Sequence, residues 1–333
     1  MSSIDKNNYL IIFPFIFLVL LGLIMISSAS IYIAEEQTLN PFYYISRQLL
    51  FVSVGLVSMS VFLIIPSNFL LKIDWLLVLI SILLLIALFV PNVGSSVNGS
   101  IRWIRLGSIG IQPSEICKFS LIIYISGYCF RRASELYSFR NFLKPLTLLS
   151  VVSLLIMSQP DLGSTAIICL VVVAILFYAG ISFFQFSLLS LLMLLLGAAA
   201  ISTSPMRIAR VMAFRDPFDS EVVFGSGYQL ANSLISIGQG GWTGLGLGNS
   251  FQKNFFLPEA HTDFIFAILV EELGVIGGII LITAYMVLFF GILKVAIDCI
   301  NFGRVFQGLV CFGTMILFAS QSLFNIAVNI GLL

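Results

Sequence analysis

The sequence predicts an all-α protein, a polytopic bundle of transmembrane helices, and three observations carry that expectation. Of 333 residues, 59% are hydrophobic and only 9% are charged, with a mean hydropathy of +1.11; a soluble domain of this size would be left with large apolar patches. Charge-free stretches at 7–34, 48–71, 75–101, 273–293 and 305–333 each reach the roughly 20 residues that a helix needs to cross the hydrocarbon core. These runs do not alternate between polar and apolar residues. That favours helices over a barrel, the other way of pairing every backbone polar group in lipid.

Nine spans are expected, at 10–33, 47–65, 74–91, 114–130, 145–160, 163–179, 183–202, 262–293 and 305–331. The uncharged stretch 162–206 holds two of them, with a turn at Ala179-Gly180-Ile181-Ser182. The first apolar segment has no small-residue cleavage pattern and reads as a retained helix with its N-terminus in the cytoplasm. Lys6, Lys72, Arg131, Arg132, Arg140, Lys144, Lys294 and Arg304 then face the cytoplasm. That is half of the 16 basic residues, so the positive-inside bias is weak. Most of the others sit in three polar segments on the outer side, where an anionic ligand could bind. A net charge of +1 gives no field for nucleic acid. The five cysteines fall in or beside expected helices without metal-ligand spacing and read as packing residues.

The first outer segment, 92–118, is rich in Gly, Ser and Asn and reads as an irregular loop. Arg102-Trp103-Ile104-Arg105 would be its interfacial anchor and Pro113-Ser114-Glu115 a helix start. Glu115 and Lys118 share a helix face, either as a local ion pair or in contact with substrate. Ser158-Gln159-Pro160-Asp161 breaks two apolar runs, and Asp161 could simply cap the next helix, as could Ser164. The long polar segment 203–262 is a large extracytoplasmic loop. Arg207, Arg210 and Arg215 within it suit an interfacial helix, with arginines toward headgroups or a diphosphate. Eight glycines between Gly225 and Gly248 are not a dinucleotide loop, since no strand or βαβ unit surrounds them. They either bring backbone amides to an anion or let a re-entrant loop pack tightly.

The densest charge lies at 241–274, with the only histidine, His261, and with Glu259, Asp263, Glu271 and Glu272. A zinc site of the two-histidine kind is excluded by the lone histidine, and no Gly-x-Ser-x-Gly elbow precedes it. Asp263 either acts as a general base on a hydroxyl or compensates the dipole of the helix it opens.

The motifs Gly246-Leu-Gly248-Asn249-Ser250-x-Gln252-Lys253, Leu257-Pro258-Glu259-Ala260-His261-Thr262-Asp263-Phe264 and Glu271-Glu272-Leu273-Gly274 resemble the SEDS family of bacterial cell-shape and division proteins. Arg102-Trp103-Ile104, Gln112-Pro113-Ser114-Glu115-x-x-Lys118, Gln159-Pro160-Asp161-Leu162-Gly163 and Gly227-Tyr228-Gln229-Leu230 extend the likeness over nearly the whole chain. Ala260, where the elongation branch usually has arginine, resembles the division branch. The resemblance implies a single integral membrane domain over 1–333 that polymerises lipid II into peptidoglycan at the outer face of the bacterial plasma membrane, at the division septum. It also implies that the family's tenth and last span lies beyond this sequence.

By matched position, the resemblance implies that Asp263 is the essential carboxylate. Arg102, Arg210 and Lys253 would neutralise a polyprenyl diphosphate. Glu115, Lys118 and Asp161 would line or brace the cavity, with Gln252, His261 and Thr262 beside the acid. The resemblance names no certain cofactor, a divalent cation (Mg or Mn) near the carboxylates is compatible with it, and the sequence shows no coordination set for one. A class B penicillin-binding protein transpeptidase and other divisome membrane proteins are the implied partners. A lipid II translocase and a non-catalytic divisome scaffold are the competing readings.

Overall fold

The computed structural model describes residues 8–91, 93–97, 100–106, 109–220 and 222–332. Lys6, placed in the cytoplasm from sequence, and Asn92, Asn98, Gly99, Gly107 and Ser108 of the first outer segment lie outside the described residues. In chain order the elements are α1 (Tyr9–Thr38), α2 (Tyr43–Ile64), α3 (Ser67–Ala87), β1 (Gly94–Val97), β2 (Ser100–Leu106), β3 (Ile109–Ile111), α4 (Pro113–Arg131), α5 (Phe139–Met157), α6 (Leu162–Tyr178), α7 (Phe183–Ser202), α8 (Pro205–Arg215), α9 (Tyr228–Gly240), α10 (Ile265–Asn301) and α11 (Val305–Asn329). Among the described residues, seven helices are long and apolar enough to cross a membrane: α1, α2, α3, α5, α7, α10 and α11. Each stretch expected to span falls on a helix, although α6, at 17 residues, is shorter and α4 carries Glu115, Lys118 and Arg131. This is a multi-pass membrane protein.

Two compact units make up the chain. The second covers Ile65–Ala198 and Ile292–Ser320, and its core joins Leu85 of α3, Leu121, Ile122 and Ile125 of α4, Val152 and Ile156 of α5 and Ile168 and Ile175 of α6. Helix α4 starts where Pro113 fixes the first turn, with Glu115 near its positive end and Arg131 near its negative end, both favourable to the macrodipole. Buried Asp74 of α3 meets the Arg131 guanidinium at 2.7 Å. Gly127 leaves the room for that approach, since a Cβ there would run into Asp74 Oδ2. Gly127→Ala is therefore expected to displace the carboxylate and to lower stability by about 1–3 kcal/mol, read as earlier thermal unfolding in detergent. An unchanged melting curve would refute the fit.

The outer segment of this unit departs from expectation. Instead of an irregular loop with an interfacial anchor at Arg102–Arg105, β1, β2 and β3 form an antiparallel sheet in that order. Gly94 pairs with Ile104, Ser95 with Trp103 and Ile104 with Ile111, and the β1 register slips between Ser95 and Ser96. Isoleucines at 101 and 104 and a tryptophan at 103 favour extended backbone. The small residues beside them let the Trp103 ring lie over Gly110, where a Cβ would sit 3.1 Å from it.

The first unit covers Met1–Ile64, Ala199–Gly291 and Gln321–Leu333. Its core joins Met25 and Ala29 of α1 to Leu257, Ala260, Phe264, Ala267 and Ile268 around the start of α10, with Ile326 of α11. The apolar run read as one span at 262–293 is broken, because Gly274 takes φ 72° and ψ −178° inside α10. The groups freed by the break are paired by the glycine-rich loop after α9. Leu245 and Gly246 N–H donate to the Glu271 and Glu272 carbonyls at 3.0 Å, and Val275 and Ile276 N–H donate to the Gly241 and Trp242 carbonyls at 2.9 and 3.3 Å. Such pairing is what lets a helix break inside an apolar run. A Cβ on Gly244 would meet the Glu272 carbonyl, and one on Gly274 would meet that of Trp242. Gly240 and Gly244 thus serve tight packing, the second of the two uses expected for the loop glycines.

Candidate active site at the start of α10

Beyond the loop and before α10, Pro258, Glu259, Thr262 and Asp263 are exposed and His261 is partly buried, while Ala260 and Phe264 anchor the turn in the core. Glu259 takes a left-handed φ of 56°, which costs a non-glycine residue on the order of 1 kcal/mol. In return its carbonyl accepts the N–H groups of Thr262 and Phe264, each at 3.1 Å, and its carboxylate accepts the Thr262 hydroxyl at 2.7 Å. Asp263 is exposed two residues before α10. Its carbonyl accepts from Asn325 Nδ2 and Asn329 Nδ2, both at 2.9 Å.

His261 lies against Tyr44 of α2, ring centroids 4.7 Å apart, with Nδ1 buried and without a hydrogen bond. Burial holds its pKa below the ordinary histidine value, against the upward pull of the Glu259 and Asp263 charges. The unfolded chain therefore binds the proton more readily. Stability should be intact above about pH 6.5 and fall as the pH drops below it. Melting followed from about pH 8 to 5 should show this slope in the wild type and a shallower one in His261→Phe; equal slopes would exclude the histidine as its source.

Behind this turn is a buried ionic cluster. Lys253 is 2% exposed and Glu271 and Glu272 are 0% exposed. The Lys253 ammonium donates to Glu272 Oε1 at 2.8 Å, to the Gly248 carbonyl at 2.7 Å and to Ser28 Oγ at 3.0 Å, which uses all three of its donors. Ser28 Oγ in turn donates to Glu272 at 2.7 Å. Glu271 accepts Ser236 Oγ at 2.6 Å, Ser250 Oγ at 2.7 Å and Phe251 N–H at 2.7 Å, with Gln252 N–H at 3.4 Å. Gln252 itself is buried. These two carboxylates tie the loop 245–253 to α1, α9 and α10. A cavity of about 530 Å³ opens beside them, lined by Leu23, Ile24, Ser27, Tyr32, Leu247 and Lys253.

Arg210 is exposed on α8 in the same unit. The remaining candidates belong to the other unit. Asp161 caps α6, accepting Ser164 N–H at 3.1 Å and Ser164 Oγ at 2.8 Å. The Arg102 guanidinium lies 3.7 Å from Asp161 Oδ2 and donates to the Pro160 carbonyl at 3.0 Å. Buried Lys118 is paired with the more exposed Glu115 at 2.7 Å. The helix cap read for Asp161 and the ion pair read for Glu115 and Lys118 are thus both present. Among the described residues, no group of three or more His, Cys, Asp or Glu side chains is gathered that could hold a metal ion.

Sequence reasoning passed over the partners that fix the site: Ser28, Ser236, Ser250, Asn325 and Asn329. Apart from Ser250, which lies in the loop, their one legible signal is polarity inside helices, which lipid tolerates only where the groups are paired.

A membrane-embedded helical scaffold that presents a carboxylate at a loop-to-helix junction defines a class, the multi-pass membrane protein with a polar site at the end of a span. Within that class, residues 8–333 match the FtsW/RodA/SpoVE family, described as Cell cycle protein, and the chain belongs to it. A relative from Alcanivorax borkumensis named "Probable peptidoglycan glycosyltransferase FtsW" is 38% identical over 334 residues, covering 100% of this chain and 86% of that protein. One of the same name from Aliivibrio salmonicida is 43% identical over 316 residues, covering 95% and 78%. In the solved structure described as "Structural coordination of polymerization and crosslinking by a peptidoglycan synthase complex", one chain matches with a TM-score of 0.77 at 24% identity, over 97% of this chain and 87% of that one. This last likeness is one of fold.

Proposed function

We propose that this chain is a peptidoglycan glycosyltransferase that polymerises lipid II into glycan strands at the outer face of the plasma membrane during cell division. Its family membership and the activity named for its relatives support the reaction class. The observation that carries the reading is Asp263, an exposed carboxylate whose backbone is held by hydrogen bonds from another helix. In this reading its carboxylate takes the proton from the 4-hydroxyl of the acceptor GlcNAc as that oxygen attacks the anomeric carbon of the donor MurNAc. The bond to the polyprenyl diphosphate breaks and the anomeric configuration inverts. General base catalysis of this kind contributes about 10²–10⁴-fold. The donor carries its own leaving group, so no nucleotide is needed outside the cell. Arg210, exposed on α8 of the same unit as Asp263, is assigned to the diphosphate, and Lys253 to holding Glu272.

The same reading places the N-terminus in the cytoplasm, residues 203–262 outside and the protein at the septum, working with a class B penicillin-binding protein. The test is reconstitution with that transpeptidase and fluorescent lipid II. Glycan strands on a gel support the enzyme. Movement of lipid II between leaflets without polymer would replace it with a translocase, and neither activity would leave a scaffold.

A further inference from the structure

Two asparagines in the last apolar helix have no part in the mechanism as written, and both contact the residue that carries it. Asn329 is 0% exposed. Its Nδ2 donates to the Asp263 carbonyl at 2.9 Å and to the Asn325 carbonyl at 2.8 Å. Its Oδ1 accepts the Ala267 N–H at 3.1 Å, and its own carbonyl accepts Ser233 Oγ of α9 at 2.8 Å. Asn325, one turn earlier on the same face of α11, donates Nδ2 to the same Asp263 carbonyl at 2.9 Å. Both acceptor positions of that carbonyl are thus filled from α11. The N–H of the same peptide unit, that of Phe264, is held by the Glu259 carbonyl at 3.1 Å.

We infer that Asn329 and Asn325 are positioning residues for the Asp263 carboxylate. The inference rests on the proposed function, because it assigns no role of its own to α11 in the chemistry. A residue at a loop-to-helix junction normally shares the mobility of the loop. Here the peptide plane that follows Asp263 is fixed at both its polar ends, which pins the Asp263 Cα and narrows the directions open to its Cα–Cβ bond and so to the carboxylate. Asn329 also supplies, from a different helix, the acceptor that an N-cap would offer the first turn of α10. It therefore fixes both the last residue of the catalytic turn that bears the acid and the helix on which that turn is mounted. Placing an asparagine inside an apolar span is costly unless it is paired, and this one is paired at every polar atom. Proton transfer needs the base at hydrogen-bond distance from the acceptor hydroxyl, and a displacement of about 1 Å costs on the order of 100-fold in rate.

The experiment is steady-state polymerisation of fluorescent lipid II by the full chain with its transpeptidase, with rates counted per folded molecule and melting recorded beside them. Asn325→Ala removes one of the two donors and leaves Asn329 in place. It should lower kcat roughly fivefold with KM changed by less than about twofold, as expected when an interaction matters in the transition state alone. Asn325→Ala combined with Asn329→Leu should lower kcat about 100-fold. Should the buried Asn329→Leu change prevent folding, Asn325→Ala alone decides. Wild-type kcat in Asn325→Ala beside an inactive Asp263→Asn overturns the clamp and leaves the general base standing. A loss that disappears once only folded molecules are counted overturns it as well, and polymer from Asp263→Asn overturns both.

Discussion

Asp263→Asn should make no detectable glycan strand, a fall in kcat of about 1,000-fold or more. The amide has nearly the size of the carboxylate and cannot accept the acceptor's proton, so the loss is one of chemistry. What makes this substitution clean is that the fold holds residue 263 by its main chain. The hydrogen bonds from Asn325 and Asn329 end on its carbonyl, and Ala260 and Phe264 on either side are in the core, so none of these contacts changes with the side chain. With rates counted per folded molecule, lipid II should still bind, leaving KM little changed. Asp263→Glu keeps the charge but moves it by one methylene, about 1 Å, and should retain on the order of one hundredth of the activity. If Asp263→Asn polymerises within tenfold of the wild type, the general-base assignment is lost, and some other group must take the proton.

Much of this was legible in the sequence because apolarity in a membrane chain is a strong, local signal. Each of the runs expected to span falls on a helix, including the pair α6 and α7 that meets at the uncharged Ala179–Ser182 turn. The likeness of the 246–274 motifs to one family pointed to the family that residues 8–333 match and to the division-branch name that its relatives carry. What failed had short-range signals that cancel. Residues 100–106 hold isoleucines and a tryptophan in a setting of Gly, Ser and Asn, and composition outvoted the strand-forming residues of β2. Helix α9 was hidden because its last turns carry Gly238 and Gly240; the second is needed where a Cβ would meet the Val270 carbonyl. The break at Gly274 left no mark on hydropathy, since apolar residues continue on both sides of it. Lys253, Glu271 and Glu272 were visible as charges, but their pairing across some twenty residues and with Ser28 of α1 depends on the tertiary fold. A charge in an apolar chain signals that a partner exists and does not say whether the partner is a ligand or another side chain.

The Lys253–Glu272 pair separates those two possibilities by magnitude. Lys253→Met leaves Glu272 with the Ser28 hydroxyl and, at 3.4 Å, the Ser250 N–H, a carboxylate of 0% exposure with no cation. Breaking a buried pair from one side costs about 3–5 kcal/mol, a large share of the roughly 5–15 kcal/mol that keeps a typical domain folded. Glu272→Leu should cost a similar amount by stranding the ammonium. Removing both charges, Lys253→Met with Glu272→Leu, takes away the desolvation penalty together with the attraction, and most of the loss should return, to within about 1–2 kcal/mol of wild type. Thermal unfolding in detergent of the two single variants and the double gives the coupling directly. Activity then decides the role. All three ammonium donors are already engaged by Glu272, Gly248 and Ser28, so the double variant should recover polymerisation to within about tenfold as its stability returns. Recovery of the fold without recovery of polymer would mean that the ammonium exchanges one of these partners for the departing diphosphate, the role the family resemblance implied for Lys253.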